Sequence, residues 1–321
     1  MKAIVQHKYG SYDLLELQEI DKPIVKDDEV QIRVHAAAVH IGDWLAMRGL
    51  PYIARIGYGL LKPKNSVPGL EVAGHVEVLG KNVKQFQPGD EVFGWCTGGF
   101  AEYVSVSEDA LVLKPANLTF EQAAAVPISA FAALQALRDE GTVQPGQNVL
   151  IIGASGSVGT FAVQLAKAFG AEVTGVCSTR NVDMVRSIGA DQVIDYTLED
   201  ITQSGPRYDV ILDMAGNRSL SECRRALTPK GTLVMVGGSG GPWLMGAGRT
   251  VRALVLSPFV RQRLRPFLSQ PKKEDLVVLK ELIEAGKITP VIDRTYTLSE
   301  TPEALRYVGE RHTQGKVVIT M

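Results

Sequence analysis

The sequence predicts an α/β protein with two domains, a β-rich N-terminal part and a doubly wound sheet of parallel strands. The chain has 321 residues, which is longer than one typical domain. Its first 120 residues contain short apolar runs separated by Gly and Pro turns, such as Gln87-Pro88-Gly89-Asp90. After Thr119, apolar strands alternate with helices, which is typical of a parallel sheet buried on both faces.

The N-terminal elements are short strands bounded by turns: Lys2–Gln6, Val30–Ala38, Gly74–Leu79, Glu91–Phe93 and Ala101–Ser105. Thr119 and Gln122 then resemble a capping box that opens an alanine-rich helix. The following pattern predicts helices at Glu121–Val126, Ala130–Glu140, Thr160–Gly170, Asn181–Ile188, Ser219–Leu227 and Lys273–Ala285, and strands at 149–152, Glu172–Cys177, Gln192–Ile194, Tyr208–Asp213 and Thr232–Val236.

The terminal strand, Lys316–Thr320, has no obvious place in the doubly wound sheet. We therefore expect it to return to the N-terminal domain. The predicted boundaries are residues 1–120 completed by 286–321 for the first domain, and 121–285 for the second.

The segment Val149-Leu150-Ile151-Ile152-Gly153-Ala154-Ser155-Gly156-Ser157-Val158-Gly159 carries the strongest functional signal. An apolar strand enters a turn of small residues, and the turn opens a helix. Backbone N–H groups in such a turn can approach an anion, and the helix N-terminus adds a favourable field. The spacing Ala154-x-Gly156-x-x-Gly159 is the dinucleotide fingerprint with alanine in place of its first glycine. The alternative is an ordinary tight turn, which also favours glycine.

The end of the next strand indicates which dinucleotide would bind. NAD sites usually present a carboxylate about 20 residues past the glycines. This chain has Ser178, Thr179 and Arg180 there, which suit a 2′-phosphate, so NADPH is preferred over NADH. Asp183 lies inside the next helix. The alternative for Arg180 is a solvated surface charge.

Composition excludes several other classes of protein. Apolar residues make up 45% and charged residues 21%, as in ordinary globular proteins, and the formal net charge of −1 gives no attraction to nucleic acid. We expect no signal peptide, since Met1 leads directly into a strand, and no apolar run approaches the roughly 20 residues of a membrane span. Cys96, Cys177 and Cys223 are scattered and odd in number, which favours a reducing cytoplasm.

With these motifs placed, the chain resembles the zinc-free quinone oxidoreductase branch of the medium-chain dehydrogenase/reductase superfamily over its whole length. The shared segments are Ala38-Val39-His40-Ile41-Gly42-Asp43-Trp44, with His40 for the usual Asn; Pro68-Gly69-Leu70-Glu71-Val72-Ala73-Gly74; Gln87-Pro88-Gly89-Asp90-Glu91-Val92; and Gly189-Ala190-Asp191-Gln192-Val193-Ile194-Asp195-Tyr196. The resemblance implies a GroES-like N-terminal domain, a Rossmann second domain and an active site in the interdomain cleft.

The resemblance also implies which residues contact the cofactor. The phosphates would lie at the glycine-containing turn, the adenosine at the ends of the next two strands, and the nicotinamide at a later glycine pair. The implied residues, in that order, are Ser155, Gly156, Ser157, Val158 and Gly159; Ser178, Arg180 and Tyr196; Gly237 and Gly238.

Zinc members of the superfamily use a Cys, a His-Glu pair and a further Cys. The corresponding places here hold His40, Leu70-Glu71 and Pro127-Ile128-Ser129. Catalytic zinc needs about three protein ligands, and leucine cannot coordinate. Structural zinc in the family uses four clustered cysteines. We therefore expect no metal, and we interpret His35 and His75 as strand histidines.

Without a Lewis acid, hydride can still add to a conjugated acceptor such as a quinone or an enone. His40 is the best candidate to donate a hydrogen bond or proton to the developing enolate oxygen, because imidazole titrates near neutral pH. Tyr52, in the apolar stretch Trp44–Leu61 expected to wall the cleft, is a second candidate. The alternative for His40 is a backbone-bonded strand-end histidine. Asp43 is expected to cap a helix starting at Trp44 rather than to act as a base.

Residues 223–273 contain ten basic and no acidic side chains, with aromatic residues between them. Such a segment could attract an anionic lipid surface, an acidic partner or an anionic substrate. The plainer alternative is a solvated loop followed by a dimer-edge strand, Ala253–Phe259. On the resemblance, we expect a homodimer.

The sequence thus favours an NADPH-dependent, metal-independent reductase of quinones or α,β-unsaturated carbonyls. A second hypothesis is a non-catalytic NADPH-binding sensor or interaction protein of the same fold. A zinc alcohol dehydrogenase is disfavoured by Leu70.

Overall fold

The computed structural model describes residues 1–200, 207–237, 243 and 247–321. These residues divide into two compact units. The first comprises residues 1–129, 271–286 and 290–321, and the second comprises residues 130–270 and 287–289. These units differ from the expected domains, because residues 121–129 and 271–285 belong to the first unit and residues 287–289 to the second. Helix Lys273–Glu284 is tied there by Lys273, which donates to the Gln85 side chain, and by its own Ile283 carbonyl, which accepts from Asn117.

The strands of the first unit are β1 Lys2–Gln6, β2 Leu15–Glu19, β3 Glu29–Val39, β4 Glu71–Leu79, β5 Glu91–Trp95, β6 Tyr103–Ser107, β7 Leu111–Leu113, β14 Ile292–Thr297 and β15 Lys316–Thr320. Its helices are α1 Ile41–Arg48, α2 Arg55–Tyr58, α3 Phe120–Ala124, α9 Lys273–Glu284 and α10 Thr301–Gly309, and α4 Pro127–Gln135 begins in this unit.

In the described part of the first unit, the main sheet has the order β14-β15-β3-β4-β5-β7, with β6 also paired to β3. The terminal strand β15 pairs antiparallel with β3, in the register Val317↔Val39. The sheet buries valine and isoleucine side chains such as Ile32 and Val72. Glu71 and Lys316 lie among them with no exposed surface.

The strands of the second unit are β8 Asn148–Ile152, β9 Glu172–Cys177, β10 Gln192–Asp195, β11 Tyr208–Asp213, β12 Leu227–Met235 and β13 Arg263–Pro266. Its helices are the rest of α4, α5 Ser157–Ala168, α6 Val182–Ser187, α7 Leu220–Ala226 and α8 Ala247–Leu256.

These strands form a parallel sheet with the order β10-β9-β8-β11-β12-β13 within the described residues. The chain runs outward from β8 in one direction through β9 and β10, then returns to β11 on the other side of β8. This reversal makes the boundary between β8 and β11 the topological switch point, where doubly wound sheets bind ligands at the carboxyl ends of the strands. The expected α/β architecture is confirmed.

The prediction of a strand at Ala253–Phe259 is wrong. The segment is the end of α8 followed by a short 3₁₀ turn, and the outer strand is β13. Ala253 is buried in the core, whereas Leu254 and Val255 are exposed, so one helical face packs against the sheet. A short apolar run has no periodicity that separates a strand from such a helix.

Candidate active site

The second unit brings several of the predicted cofactor residues to one edge of its sheet. They follow the carboxyl ends of β8, β9, β10 and β12, which lie at the same edge of the parallel sheet, with β11 between β8 and β12. We call this set the strand-end site, and it comprises Gly153–Gly159, Ser178–Asn181, Tyr196 and Gly237. Gly238 lies outside the described residues.

The turn after β8 has the geometry of an anion cradle. Gly153 adopts φ +89°, a conformation that favours glycine, and its carbonyl accepts from Gly156 N at 3.1 Å. Gly156 is the N-cap of α5 and has no side chain to satisfy the first amides of the helix. A Cβ built on Gly156 would find its nearest neighbour, the Gly153 carbonyl oxygen, 3.5 Å away. The amide-lined turn therefore leaves room for a phosphate.

Gly159 has a different task from Gly156. A Cβ on Gly159 would lie 2.1 Å from the Gly153 carbonyl oxygen and 2.8 Å from backbone atoms of Ala154. Only glycine lets the first turn of α5 pack this closely against the end of β8.

Asn181 is a residue that sequence reasoning missed. Its side chain is 4% exposed, and its Nδ2 donates to Ser155 Oγ at 2.9 Å and to Ser178 Oγ at 3.2 Å. It joins the turn after β8 to the end of β9, so two predicted cofactor residues are held in one hydrogen-bonded group. The signal in the sequence was weak, since an asparagine after a strand is common in turns.

Arg180 lies in a 3₁₀ turn after β9 and is exposed. The nearby carboxylate of Asp195, at the end of β10, is buried and accepts from Thr197 N at 2.9 Å and Thr197 Oγ1 at 2.7 Å. Hydrogen bonds from Thr179 and Thr197 lower the pKa of Asp195. Tyr196, the next residue, is 55% exposed. Arg180 and Tyr196 therefore present one cationic and one polar side chain to solvent at this edge.

Gly237 follows β12, and its amide donates to the Asp213 carbonyl at 3.0 Å. A Cβ at Gly237 would lie 1.8 Å from the Met214 carbonyl oxygen, so the chain after β12 needs glycine to pass the end of β11. The buried Asp213 carboxylate anchors this end of the sheet, since it pairs with Arg249 at 2.5 Å and accepts from Gly216 N at 2.8 Å.

In the first unit, His40 is the N-cap of α1 and is half-buried. Gly42 N donates to its Nδ1 at 3.0 Å. That nitrogen therefore carries no proton, and the proton of the neutral ring lies on Nε2. Burial, followed by the positive charge of Lys316, lowers the pKa of His40 to about 3. The expectation that this imidazole protonates near neutral pH is not supported, but Nε2–H remains a hydrogen-bond donor.

Asp43 belongs to the capping interaction, although α1 begins at Ile41 rather than at Trp44. Its Oδ2 accepts from His40 N at 2.8 Å. Burial raises the pKa of Asp43 to about 7, and the negative charge of Glu71 adds to the rise. Asp43 and His40 thus stabilise the start of α1 reciprocally.

Beneath them lies a buried ion pair between Glu71 of β4 and Lys316 of β15, each with no exposed side-chain surface. Lys316 Nζ donates to Glu71 Oε1 and, at 3.4 Å, to Ser129 Oγ, while Ile128 N donates to Glu71 Oε2 at 2.9 Å. Burial raises the pKa of Glu71, and the adjacent ammonium offsets part of that rise. We call Glu71, Lys316 and Ser129 the buried charged cluster.

Tyr52 lies in a 3₁₀ turn after α1 and is 37% exposed. The Arg55 guanidinium stands over its ring at 4.7 Å. Tyr52 is therefore partly exposed on the first unit, and its role as a second hydrogen-bond donor stays a prediction.

Two protein families match the chain. The family described as alcohol dehydrogenase GroES-like domain matches residues 26–116, and that described as zinc-binding dehydrogenase matches residues 188–319. Among curated proteins, the mitochondrial NAD(P)H oxidoreductase RTN4IP1 of Mus musculus is 36% identical over 100% of this chain and 89% of its own length.

Two plant proteins from Arabidopsis thaliana are also similar to the chain over 99% of its length. The chloroplast envelope quinone oxidoreductase homolog is 31% identical over 98% of its own length. The chloroplastic NADPH-dependent alkenal/one oxidoreductase is 34% identical over 79% of its own length.

Solved structures agree with these matches. The quinone oxidoreductase from Coxiella burnetii has a TM-score of 0.87 at 29% identity, covering 100% of this chain and 99% of that one. The Escherichia coli quinone oxidoreductase complexed with NADPH has a TM-score of 0.83 at 25% identity, covering 100% of both chains.

One family description implies zinc, and the donor set of this chain does not fit that metal. Glu71 is engaged by Lys316 and by the Ile128 amide, and the resemblance places Leu70 where a ligating histidine would stand. Burial raises the pKa of the Cys96 thiol well above its usual range, which disfavours a thiolate ligand. Within the described residues, no three His, Cys, Asp or Glu side chains are grouped to hold a metal ion.

Proposed function

The chain belongs to the quinone oxidoreductase-like branch of the medium-chain dehydrogenase/reductase superfamily, and from that premise we propose a reaction for it. The protein transfers a hydride from NADPH to a quinone or an α,β-unsaturated carbonyl compound without using a metal. The observation that carries the proposal is the strand-end site, where an uncapped helix N-terminus and an exposed arginine stand on one sheet edge. The named activities of the quinone and alkenal/one oxidoreductase relatives support an NAD(P)H-dependent oxidoreductase.

The residues of the strand-end site fit a dinucleotide phosphate. The amides of Ser157, Val158 and Gly159 open α5, and Gly156 leaves the space that an approaching phosphate needs. Asn181 fixes the hydroxyls of Ser155 and Ser178 around this space. When bound, NADPH supplies a hydride equivalent at its nicotinamide ring. The protein supplies binding and orientation.

Arg180 would select the phosphorylated coenzyme. We expect Arg180→Ala to raise the Kd for NADPH about 10- to 100-fold, because charge-assisted hydrogen bonds to the 2′-phosphate are lost, and to leave the Kd for NADH nearly unchanged. Fluorescence titration with both coenzymes measures the two constants. Arg186→Ala, at an exposed arginine in α6, is the matched control. Equal losses for NADPH and NADH would contradict the assignment.

The buried charged cluster supports a reaction without a metal. The Lys316 ammonium contacts Glu71 and Ser129, which the resemblance places at metal-binding positions, so the positive charge at these positions comes from the protein itself. A conjugated acceptor needs no Lewis acid to accept hydride, only positioning and a donor to the developing enolate oxygen.

We assign that donor role to His40 through Nε2–H, not through an imidazolium. His40→Ala is expected to lower kcat for an enone by about 100-fold, as for loss of one oxyanion donor, whereas His40→Gln retains an N–H donor and most of the turnover. Because the pKa of His40 is about 3, kcat should show no imidazole inflection from about pH 5 to about pH 8. A wild-type inflection near pH 6.5 that His40→Gln abolishes would contradict a neutral donor.

Stopped-flow oxidation of bound NADPH by 9,10-phenanthrenequinone, 1,4-benzoquinone and a short enone tests the activity itself. We expect turnover with at least one of these acceptors. Tight NADPH binding without turnover across the panel would favour the non-catalytic sensor instead. A homodimer and a cytoplasmic location stay predictions. The segment expected to form a dimer-edge strand, Ala253–Phe259, is the end of α8 and a 3₁₀ turn. The curated relatives described above are named as mitochondrial or chloroplast proteins.

A further inference from the structure

The first unit presents an unusual density of exposed apolar side chains between α1 and β4. In residues 53–64, five large apolar residues are at least half exposed: Ile53 55%, Ile56 72%, Tyr58 56%, Leu60 68% and Leu61 92%. Scattered exposed apolar residues are normal on protein surfaces, but a contiguous set indicates an interaction site.

Hydrogen bonds hold the backbone of this segment in a defined turn. Gly59 N donates to the Arg55 carbonyl at 2.8 Å, and Lys64 N donates to the Tyr58 carbonyl at 2.7 Å. From outside the segment, the Tyr9 hydroxyl donates to the Gly59 carbonyl at 2.7 Å. The Arg55 guanidinium stacks over the Tyr9 ring at 4.5 Å. The backbone is therefore fixed while Leu60 and Leu61 project from the turn.

The charge around these side chains is uniformly positive in sequence. No acidic residue occurs between Asp43 and Glu71, whereas Arg48, Arg55, Lys62 and Lys64 do occur there. Lys62 directly follows the two leucines, Lys64 comes two residues later, and both lysines are exposed. The chain as a whole has a formal net charge of −1, so this is a local departure.

We propose that residues 53–64 dock the protein on the anionic surface of a lipid bilayer. Ile56, Leu60 and Leu61 enter the boundary between headgroups and acyl chains, and Lys62 and Lys64 meet the lipid phosphates. Apolar side chains that project from a turn suit a fluid hydrocarbon, which requires no shape complementarity. A second copy of the chain would bring two basic surfaces together, which like-charge repulsion opposes.

Docking of this kind is peripheral. No helix formed by the described residues has the length and apolar character of a membrane span. The proposal goes beyond hydride transfer and does not depend on it, since vesicle binding is measured without turnover.

Flotation with lipid vesicles tests the surface directly. The full chain should bind phosphatidylcholine vesicles that contain about 30% phosphatidylglycerol, and it should bind pure phosphatidylcholine weakly. Raising NaCl from about 0.1 M to about 1 M should weaken the anionic binding. The double variants Ile56→Ser/Leu61→Ser and Lys62→Glu/Lys64→Glu should each reduce the bound fraction about tenfold, with NADPH affinity and circular dichroism retained.

The chain offers matched controls for both variants. Ile24→Ser/Leu198→Ser removes the same two residue types at positions that are 89% and 77% exposed but lie near acidic residues in sequence. Lys84→Glu/Lys287→Glu reverses two exposed lysines elsewhere. Both controls should bind vesicles like the wild type.

Three outcomes would overturn the proposal. One is no binding of the wild type to anionic vesicles, and another is equal binding by the Ile56→Ser/Leu61→Ser variant. In the third, the wild type does not bind vesicles but forms a concentration-dependent dimer or binds an acidic protein, and the Ile56→Ser/Leu61→Ser variant loses that association. In that case the segment is a protein interface.

Discussion

Replacing either member of the Glu71–Lys316 pair is expected to destabilise the protein by about 3–5 kcal/mol, because each single change leaves one buried charge without its partner. Glu71→Gln leaves the buried Lys316 ammonium without its carboxylate partner, and Lys316→Met leaves the buried Glu71 carboxylate without its ammonium partner. Both groups lie in the main sheet of the first unit, so the loss should appear when that unit unfolds in denaturant. Guanidinium unfolding followed by circular dichroism gives the midpoints.

The double variant Glu71→Gln/Lys316→Met should recover much of this loss, since it removes both charges from the interior together. The surface pair Lys22–Glu77, at 3.1 Å with both side chains over one third exposed, is the control. Lys22→Met should cost less than about 1 kcal/mol. A single buried variant with wild-type stability, or a double variant worse than both singles, would contradict a charged pair.

The second unit could largely be predicted from sequence because its signals are local. Apolar strands such as Val149–Ile152 alternate with amphipathic helices, and small residues at Gly156 and Gly159 mark the turn between them. Parallel topology then brings the ends of separate strands together. Those rules suffice to place Ser155, Ser178 and Gly237 on one edge.

The buried charged cluster could not be predicted, because its members are distant in sequence. Lys316 and Glu71 are 245 residues apart, and each strand taken alone gives no sign of the other. The protonation state of His40 could not be predicted either, because its pKa depends partly on Lys316, which is also distant in sequence. Local pattern likewise assigned α9 to the second domain, whereas it belongs to the first unit, and it gave a strand where α8 forms a helix.

Gly159→Ala is expected to abolish NADPH binding, with a loss of more than about 100-fold in affinity and a destabilisation of about 1–3 kcal/mol or more. The new Cβ would lie 2.1 Å from the Gly153 carbonyl oxygen and 2.8 Å from Ala154 backbone atoms. Because all of these are backbone atoms, no side-chain rotation relieves the overlap. Either α5 must shift away from β8 or the turn must deform, and both changes displace the amides of the cradle. Isothermal calorimetry measures the affinity.

Gly156→Ala tests phosphate binding at this turn without disturbing the fold. Its Cβ would meet only the Gly153 carbonyl oxygen at 3.5 Å, an ordinary contact, and φ −80° and ψ 174° suit alanine. Stability should therefore stay near that of the wild type, while the methyl group occupies space that a phosphate needs and lowers NADPH affinity. Wild-type affinity in both variants would mean that no phosphate rests on this turn. Since loss of fold cannot explain weakened binding by Gly156→Ala, the pair of variants distinguishes a damaged scaffold from an obstructed site.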